Sequence, residues 1–214
     1  MMLAPDVVLE EVTARHRAAR TGRAPALRNL CWRAEAGATT GIQGRNGSGK
    51  STLLSVILGT ITPTSGRVSI GAMSPVVYRR RQGIGYVPEE LPRPRGWTVE
   101  NFLRAGALLS SVRGSECSEA VSRVREVVGI GICGPLSHLS KGAMRRVAMA
   151  FAIVGRPALL LLDEPESGLD PEGRADLLET LGKLRRDGCT IVVASHDRVL
   201  LDHGCDRVLG LTEV

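Results

Sequence analysis

A glycine-rich segment between a strand-like run and a predicted helix constrains the fold more than any other feature of this 214-residue chain. The segment Gly44-Arg45-Asn46-Gly47-Ser48-Gly49-Lys50-Ser51 follows an apolar run at Thr39–Gln43 and leads into a helix predicted from Lys50 to about Leu58. Glycines allow successive backbone N–H groups to turn inward, and the N-terminal end of the following helix carries a partial positive charge. A strand, such a loop and a helix in this order predict a phosphate-binding loop in an α/β domain.

The side chains at the end of this loop fit a nucleoside triphosphate such as ATP, bound together with Mg²⁺. Lys50 is predicted to reach the β- and γ-phosphates, and the Ser51 hydroxyl is predicted to ligate Mg²⁺, with Thr52 beside it. Only three of the 28 basic residues are lysines, namely Lys50, Lys141 and Lys183. A compact ammonium suits a slot beside a phosphate better than the planar fork of an arginine does. The lysine at this position therefore favours nucleotide binding over an ordinary glycine-rich turn.

Two acidic residues follow directly after a second apolar run. Ala158–Leu162 has the continuous apolar character of a parallel strand buried on both sides, and Asp163 and Glu164 come next. Ligands of open α/β sheets lie at the carboxyl ends of the strands, so both carboxylates are expected beside the phosphates. Asp163 is predicted to hold Mg²⁺ through water, and Glu164 is predicted to orient and deprotonate the attacking water.

The order of the predicted elements indicates a doubly wound α/β core with a helical insertion. The region from Glu89 to Gly155 is mainly helical in pattern, and Thr190–Ala194 is a further buried strand. The helix before that strand has Asp170 as its predicted N-cap, Pro171 at its first position and Gly188 just past its end. One domain of this kind accounts for the whole length.

At this point the residues resemble the ABC ATPase family, and the resemblance covers nearly the whole chain in order. Leu139-Ser140-Lys141-Gly142-Ala143-Met144-Arg145-Arg146-Val147 is similar to the family signature L-S-G-G-Q and stands, as in the family, just upstream of the acidic strand. Ser140 is also a good N-cap, so its hydroxyl and the first free N–H groups of the helix form an anion site. The resemblance implies that Ser140, Lys141 and Gly142 bind the γ-phosphate of ATP held by an opposite subunit.

The resemblance also implies the architecture. It predicts a P-loop NTPase core with a mostly parallel sheet flanked by helices, an N-terminal antiparallel β portion and an inserted helical subdomain. The single domain then divides into a nucleotide-binding core at about 1–88 and 157–214 and a helical subdomain at about 89–156. Two such chains are expected to form a head-to-tail dimer, with an identical or a different ATPase subunit.

Three further segments resemble functional loops of the family. Ser167–Pro171 is similar to the loop that couples the two sites, in which Asp170 acts in trans. His196 is similar to the switch histidine that contacts the γ-phosphate. Tyr86–Glu89 is similar to the loop that senses Mg²⁺ and touches the membrane subunit. Glu89 stands where the family has glutamine, and a carboxylate there is able to approach Mg²⁺ but adds negative charge.

Other departures from the family pattern are informative. Lys141 and Ala143 replace glycine and glutamine in the signature, as in bacterial drug-, antibiotic- and peptide-export ATPases that serve separate permeases. The aromatic residue that stacks on adenine is missing near the N-terminus. His16 is the nearest candidate, with Arg15 or Arg17 as cation–π alternatives.

Composition sets the expected location and leaves one rival function open. No apolar run approaches the roughly 20 residues that cross a bilayer, and the N-terminus lacks a signal-peptide pattern. A cytoplasmic protein held at the inner face of the membrane by a permease is therefore expected. The net charge of +6 fits either solvated surface arginines or a polyanion partner. A soluble ABC-type ATPase acting on ribosomes or DNA stays open as the alternative, although no nucleic acid is expected and no N-K-x-D motif of GTPases occurs.

The five cysteines are scattered, without a C-x-x-C pair. They are expected to be free thiols in buried positions rather than metal ligands or disulfides.

Overall fold

The computed structural model describes residues 3–15, 25–131 and 133–211. Within these ranges the strands are β1 Val7–Ala14, β2 Leu27–Ala34, β3 Thr39–Gln43, β4 Ser65–Ile70, β5 Gly85–Val87, β6 Leu159–Asp163, β7 Thr190–Ser195 and β8 Arg207–Gly210. The helices are α1 Lys50–Ile57, α2 Pro75–Gln82, α3 Val99–Leu109, α4 Cys117–Val127, α5 Lys141–Ile153, α6 Pro171–Arg186 and α7 Arg198–Gly204. Short 3₁₀ turns lie at Gly114–Glu116 and Leu136–His138.

The strands form two sheets of different kinds. A three-stranded antiparallel sheet has the order β2-β1-β4, and a five-stranded parallel sheet has the order β5-β6-β7-β3-β8. The predicted P-loop NTPase fold, with an N-terminal antiparallel portion, is confirmed. In the parallel sheet Gln43 pairs with Ser195, Asp163 with Ala194, and Val87 with Leu162. The carboxyl ends of β3, β5, β6 and β7 therefore meet at one edge.

The inner strands β3, β6 and β7 of the parallel sheet are buried on both faces, as their apolar character predicts, whereas the edge strand β8 is largely exposed. Leu159 and Leu161 of β6 point into a core shared with α1 and the antiparallel sheet. Leu160 and Leu162 point into the opposite core, which continues into the helices α3, α4 and α5. One core thus runs from the sheet into the helical region, and the division of the chain into a core and a helical subdomain stays a prediction.

Sequence patterns locate the starts of α1, α5 and α6 correctly. The side chains of Ser140 and Asp170 cap α5 and α6 as predicted, by accepting hydrogen bonds from the N–H groups of Ala143 (3.1 Å) and Gly173 (2.8 Å). Two helices lack a sequence prediction: α2, in which Tyr78 is the buried side chain, and the seven-residue α7. In the described ranges, no helix is long and apolar enough to cross a membrane.

The expectation of buried thiols is wrong for two of the cysteines. All five are free, and Cys117 and Cys189 are buried, but Cys31 and Cys133 are exposed. Cys31 lies on β2, an edge strand whose alternate residues face solvent. Cys133 lies in the loop before the 3₁₀ turn at Leu136–His138, where chain segments run over the surface.

Candidate active site

The glycine-rich segment forms a tight loop between β3 and α1. Gly47 and Gly49 have φ angles of 89° and 99°, a conformation that a side chain makes costly. A methyl group on Gly49 would also lie 2.5 Å from the carbonyl oxygen of Ala26. Arg45, Asn46 and Gly47 face solvent, whereas the rest of the loop is partly or fully buried. The loop thus presents its backbone at the N-terminal end of α1.

Lys50 is buried under this loop, with 6% of its surface exposed. Its ammonium donates to the carbonyl oxygen of Gly44 at 2.7 Å and lies 3.5 Å from that of Arg45. It also forms a buried ion pair with Glu164, at 3.1 Å between Nζ and Oε1. Two segments that are far apart in the sequence, the phosphate-type loop and the end of β6, are therefore joined by one charge pair.

Glu164 is the centre of the site. Its φ of 46° is unusual for a residue other than glycine, and its backbone N–H donates to the carbonyl oxygen of Ala194 at 2.8 Å. Strained conformations of this kind are held by their surroundings and concentrate at active sites. The second carboxylate oxygen of Glu164 lies 2.6 Å from Nδ1 of His196, whose side chain is 68% exposed. The carboxylate thus bridges the buried lysine and the solvent-facing histidine.

Asp163 and Ser51 lie together beside this centre. Burial raises the pKa of Asp163, a hydrogen bond from the Ser51 hydroxyl lowers it, and the charges of Glu89 and Glu164 raise it again. One oxygen of Asp163 is buried and has no hydrogen-bond partner among the described residues. A carboxylate with a free oxygen beside a hydroxyl is a suitable donor set for a hard divalent cation such as Mg²⁺.

Glu89 reaches the site from the loop that follows β5. Its side chain is exposed, and its charge acts on Asp163. The main chain here is held by Arg145 of α5, which donates to the carbonyl oxygens of Pro88 (2.8 Å) and Glu89 (3.0 Å). The structure therefore brings Glu89, Asp163 and Ser51 to the same edge of the sheet, and their binding of Mg²⁺ stays a prediction.

Two buried charged residues of the site were missed by the sequence reasoning. Arg145 lies on the apolar face of α5 with Ala148 and Ala152, and that helical spacing was the signal available in the sequence. Glu166 is 3% exposed, accepts a hydrogen bond from the Ser195 hydroxyl, and lies close to Glu164 and His196. Burial raises the pKa of Glu166 to about 7. Nothing in the local sequence distinguishes Glu166 from a surface glutamate.

The signature segment forms a second, separate concavity. A cavity of about 350 Å³ is lined by residues 129–130, 140–143, 146 and 168–170. Ser140, Lys141, Gly142 and Asp170, which are predicted to act in trans, are therefore brought together in one pocket. No residue of the 44–52 loop lines it. The remaining predicted binding residue, His16, lies outside the described residues together with Arg17, so adenine stacking stays a prediction.

Comparisons with known proteins agree with this geometry. The ABC transporter family profile matches residues 27–167. A zinc import ATP-binding protein of Alkalilimnicola ehrlichii is 37% identical over 214 residues, which cover 98% of this chain and 77% of that protein. A linearmycin resistance ATP-binding protein of Bacillus subtilis is 30% identical over 87% of this chain and 61% of its own length.

A similar protein of known structure has been solved as a dimer and after ATP hydrolysis. It is a dimeric ATP-binding cassette in a post-hydrolysis state bound to ADP and phosphate, with a TM-score of 0.87 and 26% identity over 96% of this chain and 94% of that one. ATP-binding subunits of this kind dimerise and work with membrane permease components. The match of fold, of motif order and of site geometry leads to one assignment: the chain belongs to the ABC transporter family of ATP-binding subunits and is an ATPase.

Proposed function

We propose that this chain binds ATP with Mg²⁺ between the 44–52 loop of one subunit and the signature pocket of a second, and that its hydrolysis drives a separate permease. The observation that carries the proposal is the position of Glu164. Its carboxylate lies 3.1 Å from the Lys50 ammonium and 2.6 Å from His196 Nδ1, at the edge where the loop, β6 and β7 end. Glu164 as the base, Lys50 as the phosphate-binding cation and His196 as a further polar contact would thus all reach one bound phosphate.

In this mechanism Lys50 exchanges partners. In the structure the ammonium pairs with Glu164, and the β- and γ-phosphates would replace that contact on binding. Glu164 is then free to accept a proton from a water molecule whose oxygen attacks the γ-phosphorus. The bond from that phosphorus to the β–γ bridging oxygen breaks, which gives ADP and phosphate. His196 holds the second oxygen of Glu164 and so fixes the direction of the base.

Ser51 and Asp163 would hold Mg²⁺, with Glu89 as a further acidic neighbour. The free buried oxygen of Asp163 and the adjacent hydroxyl support this assignment. Mg²⁺ supplies neutralisation of the charge that develops on the phosphate oxygens.

The signature pocket of the partner completes the site. Ser140 caps α5, so its hydroxyl and the first N–H groups of that helix point into the pocket. Lys141 adds an ammonium and Asp170 comes from the neighbouring loop. The γ-phosphate gripped from both sides stabilises the dimer, and its loss on hydrolysis loosens the dimer, which is how a ligand with different affinity for two states shifts their populations.

The dimer is tested with a variant that binds ATP without hydrolysing it. Purified Glu164→Gln should double its molar mass in light scattering when ATP and Mg²⁺ are added. A second change, Ser140→Arg, should keep this protein monomeric, because a bulky side chain fills the signature pocket. An ATP-induced dimer of the double variant would contradict the head-to-tail arrangement.

We further propose that the permease exports its cargo, with the chain at the inner face of the membrane and His16 stacking on adenine. Lys141 and Ala143 in the signature support export, as does the relative named for linearmycin resistance; the relative named for zinc import points the other way. The test uses the membrane protein that co-purifies with the tagged chain, reconstituted in vesicles with the ATPase facing outward. ATP-driven uptake of linearmycin into the vesicles would support export, and ATP-driven release of enclosed Zn²⁺ would indicate import.

A further inference from the structure

Two arginines join the loop that carries Glu89 to the start of the signature helix, and they do so in opposite directions. Arg145 of α5 donates from Nη1 and Nη2 to the carbonyl oxygens of Pro88 and Glu89, at 2.8 and 3.0 Å. Arg93, from the same loop, donates from Nη1 to the carbonyl oxygen of Leu139 at 2.8 Å. Leu139 immediately precedes Ser140, the cap of α5. Each segment therefore supplies an arginine that holds the other segment's main chain.

Arg145 is buried, and its hydrogen bonds and neighbouring charges hold the guanidinium in one orientation. Only 6% of the residue is exposed, and burial lowers the pKa of its guanidinium while the nearby charges of Glu166, Glu89, Asp163 and Glu164 raise it. Removing a guanidinium from water is costly unless hydrogen bonds and opposite charges compensate. Both are present here. A planar guanidinium with two bonds to successive carbonyls also fixes orientation, which a single donor does not.

The two joined segments serve different nucleotides in the proposed dimer. Glu89 acts on Asp163 in the chain's own site, and Val87, two residues earlier, pairs with Leu162 of β6. Ser140 lines the pocket that faces the partner's ATP. Leu91 of the loop also packs against the core that contains Leu139. These contacts connect the loop of the chain's own site to the segment that lines the signature pocket.

We propose that Arg145 and Arg93 are positioning residues that make residues 88–97 and the signature segment move as one unit, so that ATP in a chain's own site sets the position of the signature offered to its partner. This inference rests on the proposed function, because it requires the signature to act across the dimer. Arg145 and Arg93 need not contact the nucleotide in this role.

The experiment measures two properties separately in the Glu164→Gln background. The first is ATP affinity of the monomer without Mg²⁺, by calorimetry, which reports the chain's own loop. The second is the ATP concentration that gives half-maximal dimer in light scattering with Mg²⁺. The variants are Arg145→Met, Arg145→Lys and Arg93→Met. The control is Arg123→Met, because Arg123 is half-buried and also donates to a backbone carbonyl, that of Val154, at 3.4 Å within the helical region.

We expect monomer affinity to change less than about twofold and the dimerisation concentration to rise about tenfold in Arg145→Met, within the 5- to 150-fold common for coupled sites. Arg93→Met should shift it in the same direction, and Arg145→Lys should give an intermediate shift since one ammonium replaces a two-pronged contact. Arg123→Met should leave dimerisation unchanged. Parallel shifts in monomer affinity and in the dimerisation concentration would overturn the proposal. An unshifted dimerisation concentration in Arg145→Lys would overturn it as well.

Failure to fold and failure of the proposed function remain distinguishable. If Arg145→Met does not fold, Arg93→Met tests the coupling instead, because Arg93 is exposed. An unchanged dimerisation concentration in Arg93→Met would then overturn the coupling. If Glu164→Gln itself stays monomeric with ATP, the proposed function fails and this inference falls with it. If Glu164→Gln dimerises and the arginine variants dimerise at the same ATP concentration, the coupling alone is wrong.

Discussion

The 44–52 loop with the acidic end of β6 and the signature pocket are two anion-binding regions built in different ways. In the first, Lys50, Asp163, Glu164 and Glu166 are buried, and Lys50 forms an ion pair with Glu164. In the second, an exposed serine caps a helix at the rim of an open cavity of about 350 Å³. The first region holds its charges inside the domain, and the second presents donors to the outside.

The difference shows that the two regions of one chain contribute to phosphate binding in different ways. Buried charges interact strongly because little water screens them. We therefore expect the first region to bind the phosphates and to activate the attacking water within its own subunit. An exposed helix N-terminus is a weaker attractor, worth only a fraction of a buried ion pair. It becomes effective when a partner brings a phosphate into the pocket and excludes water. We therefore expect changes in the first region to affect binding and chemistry, and changes in the second to affect association.

The largest expected effect is the loss of ATP binding in Lys50→Ala. This change removes the ammonium and leaves the buried Glu164 carboxylate without its lysine partner, so its negative charge repels phosphates. Calorimetry with ATP should show no measurable heat of binding. The matched control is Lys183→Ala, because Lys183 forms an exposed pair with Glu179 on α6. Retention of the parent's affinity in Lys50→Ala would remove the distinction between the two regions.

The contrast between the regions also explains how much the sequence could predict. The loop at Gly44–Lys50 and the caps Ser140 and Asp170 depend on neighbours within a few residues, so a local pattern carries the information. The contacts of Arg145 with Pro88 and Glu89 span 57 and 56 residues. No local pattern specifies which carbonyls a buried arginine will meet, and the same holds for Glu164 and His196, 32 residues apart.

The second effect in size is on turnover in Glu164→Gln. An amide keeps the size of the side chain but does not accept a proton, so the rate of phosphate release should fall by about 10²–10⁴-fold. ATP affinity should stay close to that of the parent, since Lys50 keeps its place under the loop. A steady-state phosphate assay measures the change, and the exposed Glu179→Gln serves as control. Hydrolysis at the parent rate would show that Glu164 is not the base.

A change in the signature region should separate association from binding. Ser140→Ala removes a helix cap, which costs about 0.5–2 kcal/mol of stability. It should raise the ATP concentration needed for dimerisation in the Glu164→Gln background, with monomer affinity unchanged. Thr98→Ala is the matched control, because Thr98 caps α3 by accepting from the N–H of Asn101 at 3.2 Å and does not line the pocket. A loss of monomer affinity in Ser140→Ala would mean that the signature serves the chain's own site.

The smallest effect tests the burial of charge in the first region through the pH dependence of stability. Burial raises the pKa of Glu166 to about 7, from an ordinary value of 4.5 for a glutamate in water. Between these values the unfolded chain releases the proton while the folded chain retains it. The free energy of unfolding of the parent should therefore fall, relative to Glu166→Gln, by up to about 1.4 kcal/mol per pH unit as pH rises through this window, and the difference should level off above it.

Urea denaturation at half-unit pH steps without Mg²⁺ measures this difference. Glu166→Gln still offers an amide oxygen to the Ser195 hydroxyl, so the hydrogen bond is conserved while the titration is removed. Glu179→Gln is the control, because Lys183 lowers the pKa of the fully exposed Glu179 and its titration lies at more acidic pH. A constant difference between parent and Glu166→Gln from pH 4.5 to 7 would mean that Glu166 is ionised throughout. The first region would then contain an additional buried negative charge, that of Glu166. Burial would restrict charge in this region less than we expect, and the region would differ less from the solvated signature pocket.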